Sequence, residues 1–100
     1  MSQKIALPFA LSYDGSMGKA SANLKKYRGI QLPVFVEKDE DGFYVIECPL
    51  FKGCYTQGKT LDEALRNIRE VISLVLEDKW NRDILAAYHP KETSFHTITL

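Results

Sequence analysis

Histidine and cysteine are scarce in this sequence, two of each among 100 residues, and that scarcity removes several kinds of chemistry. Cys48 and Cys54 have no histidine or further cysteine beside them, which is too few ligands for a tetrahedral zinc site. His89 precedes Pro90, where a cation suits the end of a helix dipole, and His96 lies in a run of strand composition. Neither stands in a nucleophile–base arrangement, so no cooperating catalytic set can be assembled. The expectation is a protein that is not an enzyme, with no catalytic residue, no metal and no cofactor. Long apolar runs are also missing. None approaches the ~20 residues of a membrane helix, and residues 5–11 contain Pro8 and show no signal-peptide cleavage pattern. A cytoplasmic protein with reduced thiols and no membrane contact follows as the default. No phosphate loop is spelled out either, since Gly58-Lys59-Thr60 lacks the upstream glycine.

What is present suits one soluble domain. Five Phe, five Tyr and one Trp supply bulky anchors for a modest core. Net charge is zero but unevenly spread. Residues 1–30 hold five basic groups against one acid, whereas the remaining residues hold eight basic and twelve acidic groups. An acidic body argues against a surface built for a phosphate backbone and suits a basic partner, although the same excess also serves solubility.

Residues 1–26 read as an appendage, with a short strand over 5–13, a turn at Asp14-Gly15-Ser16 and a linker composition beyond. Residues 27–100 read as the domain. The β-branched and aromatic run over 31–38 predicts a strand, with Pro33 near its start. Asp39-Glu40-Asp41-Gly42 predicts a hairpin loop, residues 43–48 a second strand ended by Pro49, and residues 54–57 a third. Leu50-Phe51-Lys52-Gly53 reads as a loop carrying two exposed apolar side chains. Thr60-Leu61-Asp62-Glu63 has the form of a capping box, and Leu61, Leu65, Ile68, Ile72 and Val75/Leu76 follow at helical spacing. Arg66, Asn67, Arg69, Glu70, Ser73 and Glu77 fall to the other faces. Residues 79–88 either extend this helix or form a second one. Residues 94–100 alternate as a last strand, able to join the sheet or to swap into a neighbour. The fold class is α+β: a three-stranded antiparallel meander, one main helix on a sheet face and a returning strand, βββαβ.

Two charged clusters admit more than one reading. Glu37, Asp39, Glu40 and Asp41 hold oxygen ligands of the kind magnesium prefers, but calcium-loop spacing is absent. A solvated tip that discourages edge pairing and an acidic patch for a basic partner are the alternatives. Lys25-Lys26-Tyr27-Arg28 could touch RNA phosphates or simply be solvated.

The run Pro33-Val34-Phe35-Val36-Glu37-Lys38-Asp39-Glu40-Asp41-Gly42-Phe43-Tyr44-Val45 resembles the opening of the HicB family. Cys48-Pro49 followed by Gly53-Cys54-Tyr55-Thr56-Gln57-Gly58-Lys59-Thr60 is similar to its central signature. Leu61-Asp62-Glu63-Ala64-Leu65 through Glu70-Val71-Ile72 is similar to its helix, and Phe95-His96-Thr97 to its last strand. The resemblance implies a truncated ribonuclease-H-like domain without catalytic acids. It also implies an antitoxin that binds a HicA-like ribonuclease toxin, covers its catalytic histidine and forms homodimers or higher homo-oligomers. Two departures stand out. Leu50-Phe51-Lys52-Gly53 replaces a loop that usually carries an acid and a proline, and the DNA-binding module many members carry is not found by Leu100, which argues against direct DNA binding. The contacts expected for the partner are Leu50, Phe51 and Tyr55 as apolar anchors, with Glu37, Asp39, Glu40 and Asp41 as charged ones. An orphan scaffold that self-assembles, or a weak RNA-binding module, is the alternative function.

Overall fold

Alternation of period two over residues 35–38, 44–47 and 55–58 yields three short strands, and one capped amphipathic segment yields the helix that covers them. The computed structural model describes residues 23–100, so the strand expected over 5–13 and the turn at Asp14-Gly15-Ser16 lie outside the described residues. The strands are β1 (Phe35–Lys38), β2 (Tyr44–Glu47) and β3 (Tyr55–Gly58), paired antiparallel in the order β1-β2-β3. This is the expected meander. A single 3-10 turn, Asn23–Tyr27, precedes it, and two helices follow: α1 (Leu61–Val75) and α2 (Lys79–Ala86).

The β1–β2 loop is closed by its first residue. The Asp39 carboxylate accepts from the backbone N–H groups of Asp41 and Phe43, both at 2.9 Å. Gly42 sits at φ +88°, the left-handed position this loop requires. Asp39→Ala leaves the half-buried Phe43 N–H without its side-chain acceptor. The expected loss is about 1–2 kcal/mol of stability, read as a lower urea midpoint.

The register places Val36, Ile46 and Thr56 side by side on the face that meets α1. Ile46 and Thr56 are buried there, as are Ala64, Ile68, Val71 and Val75 of the helix. These four helical positions make one stripe at intervals of four, three and four. Of the expected stripe, Ile68 and Val75 belong to this one, while Leu61 and Leu65 are exposed. Ile72 and Leu76, also expected, are buried next to a groove that Leu24, Tyr27 and Leu32 help to line. Glu70 and Ser73, expected on outer faces, are buried as well. The Ser73 hydroxyl is accommodated by donating to the Glu70 carbonyl at 2.8 Å.

The helix start follows the expected box with one shift. Thr60 Oγ1 accepts from the Glu63 N–H at 3.1 Å, while the Glu63 carboxylate reaches back to the N–H of Lys59. Residues 79–88 do not extend α1. Asp78 caps a new helix by accepting from the Trp80 N–H. Asn81 and Arg82 then donate to the carbonyls of Val75, Leu76 and Glu77, groups that any ending helix leaves without an internal partner.

The loop after β2 corrects one expectation. Phe51 does not stand out but is 1% exposed, at the centre of the core with Cys48 and Cys54. Hydrogen bonds from the Phe51 N–H to the Cys48 carbonyl and from the Cys54 N–H to the Phe51 carbonyl fold the loop back on itself, so the ring turns inward and Lys52 takes the exposed tip. The two thiols are free and buried. Cys54 donates to Cys48, which together with burial holds the Cys54 thiol far above the ordinary thiol range. The same hydrogen bond draws Cys48 below it, against burial.

The returning strand is the second correction. Residues 94–100 make no sheet pairing in the single chain, and among the described residues the order is βββαα. Strand composition does not supply a pairing edge, which is a matter of tertiary placement. Here the segment meets β1 where the Phe95 ring packs against Phe35, with ring centroids 5.3 Å apart, and its later residues are exposed.

Candidate partner-binding face

Because side chains alternate along a strand, the register that turns Val36, Ile46 and Thr56 toward the helix puts two other rows on the opposite face of the sheet. One row is Phe35, Glu47 and Tyr55, and the other is Glu37, Val45 and Gln57. The apolar members are half-buried, while Glu37 and Glu47 are exposed. Glu40 and Asp41 extend the same negative character onto the hairpin tip, where both are exposed.

The structure therefore brings together Glu37, Glu40, Asp41 and Tyr55 of the expected contacts. Asp39 borders the patch, but one carboxylate oxygen accepts both turn hydrogen bonds. Leu50 is half-buried and packs on the core, and Phe51 lies inside it. Glu47 is the acid that sequence reading passed over. It occupies an apolar-looking strand, and its only signal is its alternation with buried Ile46. Phe35, Val45 and Phe95 add apolar surface that only the register and the Phe35–Phe95 contact reveal.

On the side of chemistry, His89 and His96 are both exposed. Ser94 Oγ and His96 Nε2 are 2.8 Å apart, but in an exposed segment with no further group oriented on the ring. Among the described residues, no group of three or more His, Cys, Asp or Glu side chains is placed to hold a metal ion. No helix among them is long and apolar enough to cross a membrane.

A three-stranded antiparallel meander backed by one long helix, with carboxylates on its far face and hairpin, defines a small α+β domain. The chain belongs to the HicB-like antitoxins of bacterial toxin-antitoxin systems, whose family model matches residues 32–95. It is 58% identical over 45 residues to a UPF0150 protein of Synechocystis sp., a match covering 45% of this chain and 65% of that one. A UPF0150 protein of Archaeoglobus fulgidus is 46% identical over 52 residues, covering 52% of this chain and 75% of the relative. An uncharacterized 14.9 kDa protein of Haemophilus phage HP1 is 44% identical over 45 residues, covering 45% of this chain and 33% of its own length. No solved structure matches the chain significantly.

Proposed function

We propose that this chain neutralises a small basic HicA-type ribonuclease by covering its active site, and does no chemistry itself. The single observation behind this reading is the pairing of family membership with a sheet face and hairpin that expose Glu37, Glu40, Asp41 and Glu47 together. A ribonuclease must present positive charge to hold RNA, and a carboxylate-bearing surface of this kind competes for that charge. Tyr55 and half-buried Leu50 supply the apolar contacts. The protein acts in the cytoplasm as a homodimer or larger homo-oligomer.

The direct experiment mixes the purified chain with a small basic protein encoded beside its gene and follows RNA cleavage. Stoichiometric chain is expected to stop cleavage, and unchanged cleavage at excess rules the reading out. A charge-reversed chain, Glu37→Lys with Glu40→Lys, is expected to associate at least about tenfold more slowly at low salt. The difference should shrink as salt screens these exposed groups. Both residues are exposed, so stability should move by no more than about 0.5 kcal/mol per substitution.

A further inference from the structure

We propose that residues 94–100 are an exchange arm, which adds as a fourth strand to the outer edge of β1 in a second copy of this chain. The inference deepens the homo-oligomer proposed above by naming what joins the copies, and it does not depend on toxin binding.

The arm has the pattern of a strand. Phe95, Thr97 and Thr99 alternate with His96, Ile98 and Leu100, and three of the six are β-branched. It nevertheless makes no backbone hydrogen bond among the described residues, and every residue in it is exposed, Phe95 to 68% and Ile98 to 84%. A strand of this composition gains little from standing alone in water, because beyond the Phe35–Phe95 contact its apolar side chains Ile98 and Leu100 stay in solvent and its amide groups are left to water.

The chain also carries the matching edge. The sheet order leaves β1 and β3 at the two margins. On β3 the outer side is partly occupied, since Asn67 Nδ2 donates to the Gln57 carbonyl at 2.9 Å. On β1, Asp39 N–H donates inward to Phe43. Strict alternation along the strand therefore turns the N–H groups of Val36 and Lys38 outward. Neither group has a hydrogen-bond acceptor among the described residues. Such an edge accepts another strand.

Three features select a second copy as the occupant. Arm and edge are on the same polypeptide, so each copy supplies what the other lacks. The arm departs beside the receiving edge, because Phe95 packs on Phe35, the first residue of β1. A two-fold axis near that point lets both arms exchange at once and closes the assembly. The formal net charge of zero sets no long-range repulsion between copies. At about 3.3 Å per residue the arm reaches roughly 20 Å, enough to run the full length of a four-residue strand.

The test is the solution mass of the full chain at micromolar concentration by light scattering, beside a chain lacking residues 94–100 and the point variants Thr97→Pro and Ile98→Lys. Thr97→Pro removes a pairing N–H, and Ile98→Lys puts a charge on the arm. Both sites are exposed, so the monomer fold, followed by circular dichroism, should persist. The full chain is expected to be a dimer or larger closed assembly, and all three variants are expected to fall to the monomer mass. A monomeric full chain overturns the proposal. So does an assembly whose mass survives the truncation and both point changes. A monomer that loses ribonuclease binding on truncation also overturns it, and assigns the arm to the toxin.

Discussion

Phe51→Ala is expected to lower the unfolding free energy by about 3–5 kcal/mol, the range for emptying a large aromatic site in a packed core. Phe51 is the largest fully buried side chain among the described residues, at 1% exposure. It sits on a loop rather than on a strand or helix, which usually signals a dispensable side chain. Here the loop is short, and its hydrogen bonds to Cys48 and Cys54 fix the ring among core residues from both sheet and helix. The cavity left by alanine has little freedom to collapse, because β2 and β3 are anchored to each other on either side by the Cys48 N–H to Cys54 carbonyl bond and the register beyond it. Single domains are stable by only about 5–15 kcal/mol, and a domain this small belongs near the lower end. The variant should therefore unfold at a much lower urea concentration, or be partly unfolded without denaturant. Leu50→Ala, at a half-buried neighbour, is the control and should cost clearly less. A loss below about 1 kcal/mol for Phe51→Ala would mean that the ring is not in the core and would return it to the list of partner contacts.

The fate of Phe51 shows which parts of this fold a linear reading can reach. The hairpin and the start of α1 were legible because their causes lie within a few residues: Asp39 to Gly42 for the loop, Thr60 and Glu63 for the cap. The family signature was legible for a similar reason, as a spaced set of short motifs. The stripe on α1 was legible only in part. Leu61 and Leu65 are more hydrophobic than Ala64, but the close approach of β3 favours the small residue, so Ala64 is buried and the leucines are not. The second helix turned on side chains of Asn81 and Arg82 reaching six residues back to the end of α1, a pattern no propensity scale contains. The last strand failed for the opposite reason: its composition is that of a strand, but composition does not say whether the chain's path brings it alongside an edge. In the candidate face, the acids on the hairpin were visible as a cluster. The use of Asp39 in the turn and the outward position of Glu47 both required the register.

Gly58→Ala should be destabilising by about 1–3 kcal/mol or more, although the backbone at this glycine is not in the left-handed region and the same change at an unconstrained site stabilises by about 0.4–1 kcal/mol. The reversal of sign comes from β3 passing directly against the first turns of α1. A Cβ on Gly58 would stand 2.5 Å from the Ala64 backbone nitrogen and 2.9 Å from both the Ala64 Cα and the Glu63 carbonyl carbon. All three are backbone atoms, so no side-chain rotation relieves the overlap. The strand and helix must separate instead, which loosens the contact of Thr56 and Ile46 with Ala64 and Ile68, and pulls Lys59 away from the Glu63 carboxylate that caps the helix. A thermal melt should show the loss, and Gly58→Val should enlarge it. A double variant separates this cause from ordinary overpacking. If the conflict were with the Ala64 methyl, Ala64→Gly would rescue Gly58→Ala. Because the conflict is with the Ala64 backbone, Ala64→Gly should instead add its own helix-propensity cost of about 1 kcal/mol. Rescue by Ala64→Gly would show that β3 and α1 are not in backbone contact at this point, and the placement of the helix on the sheet would have to be redrawn.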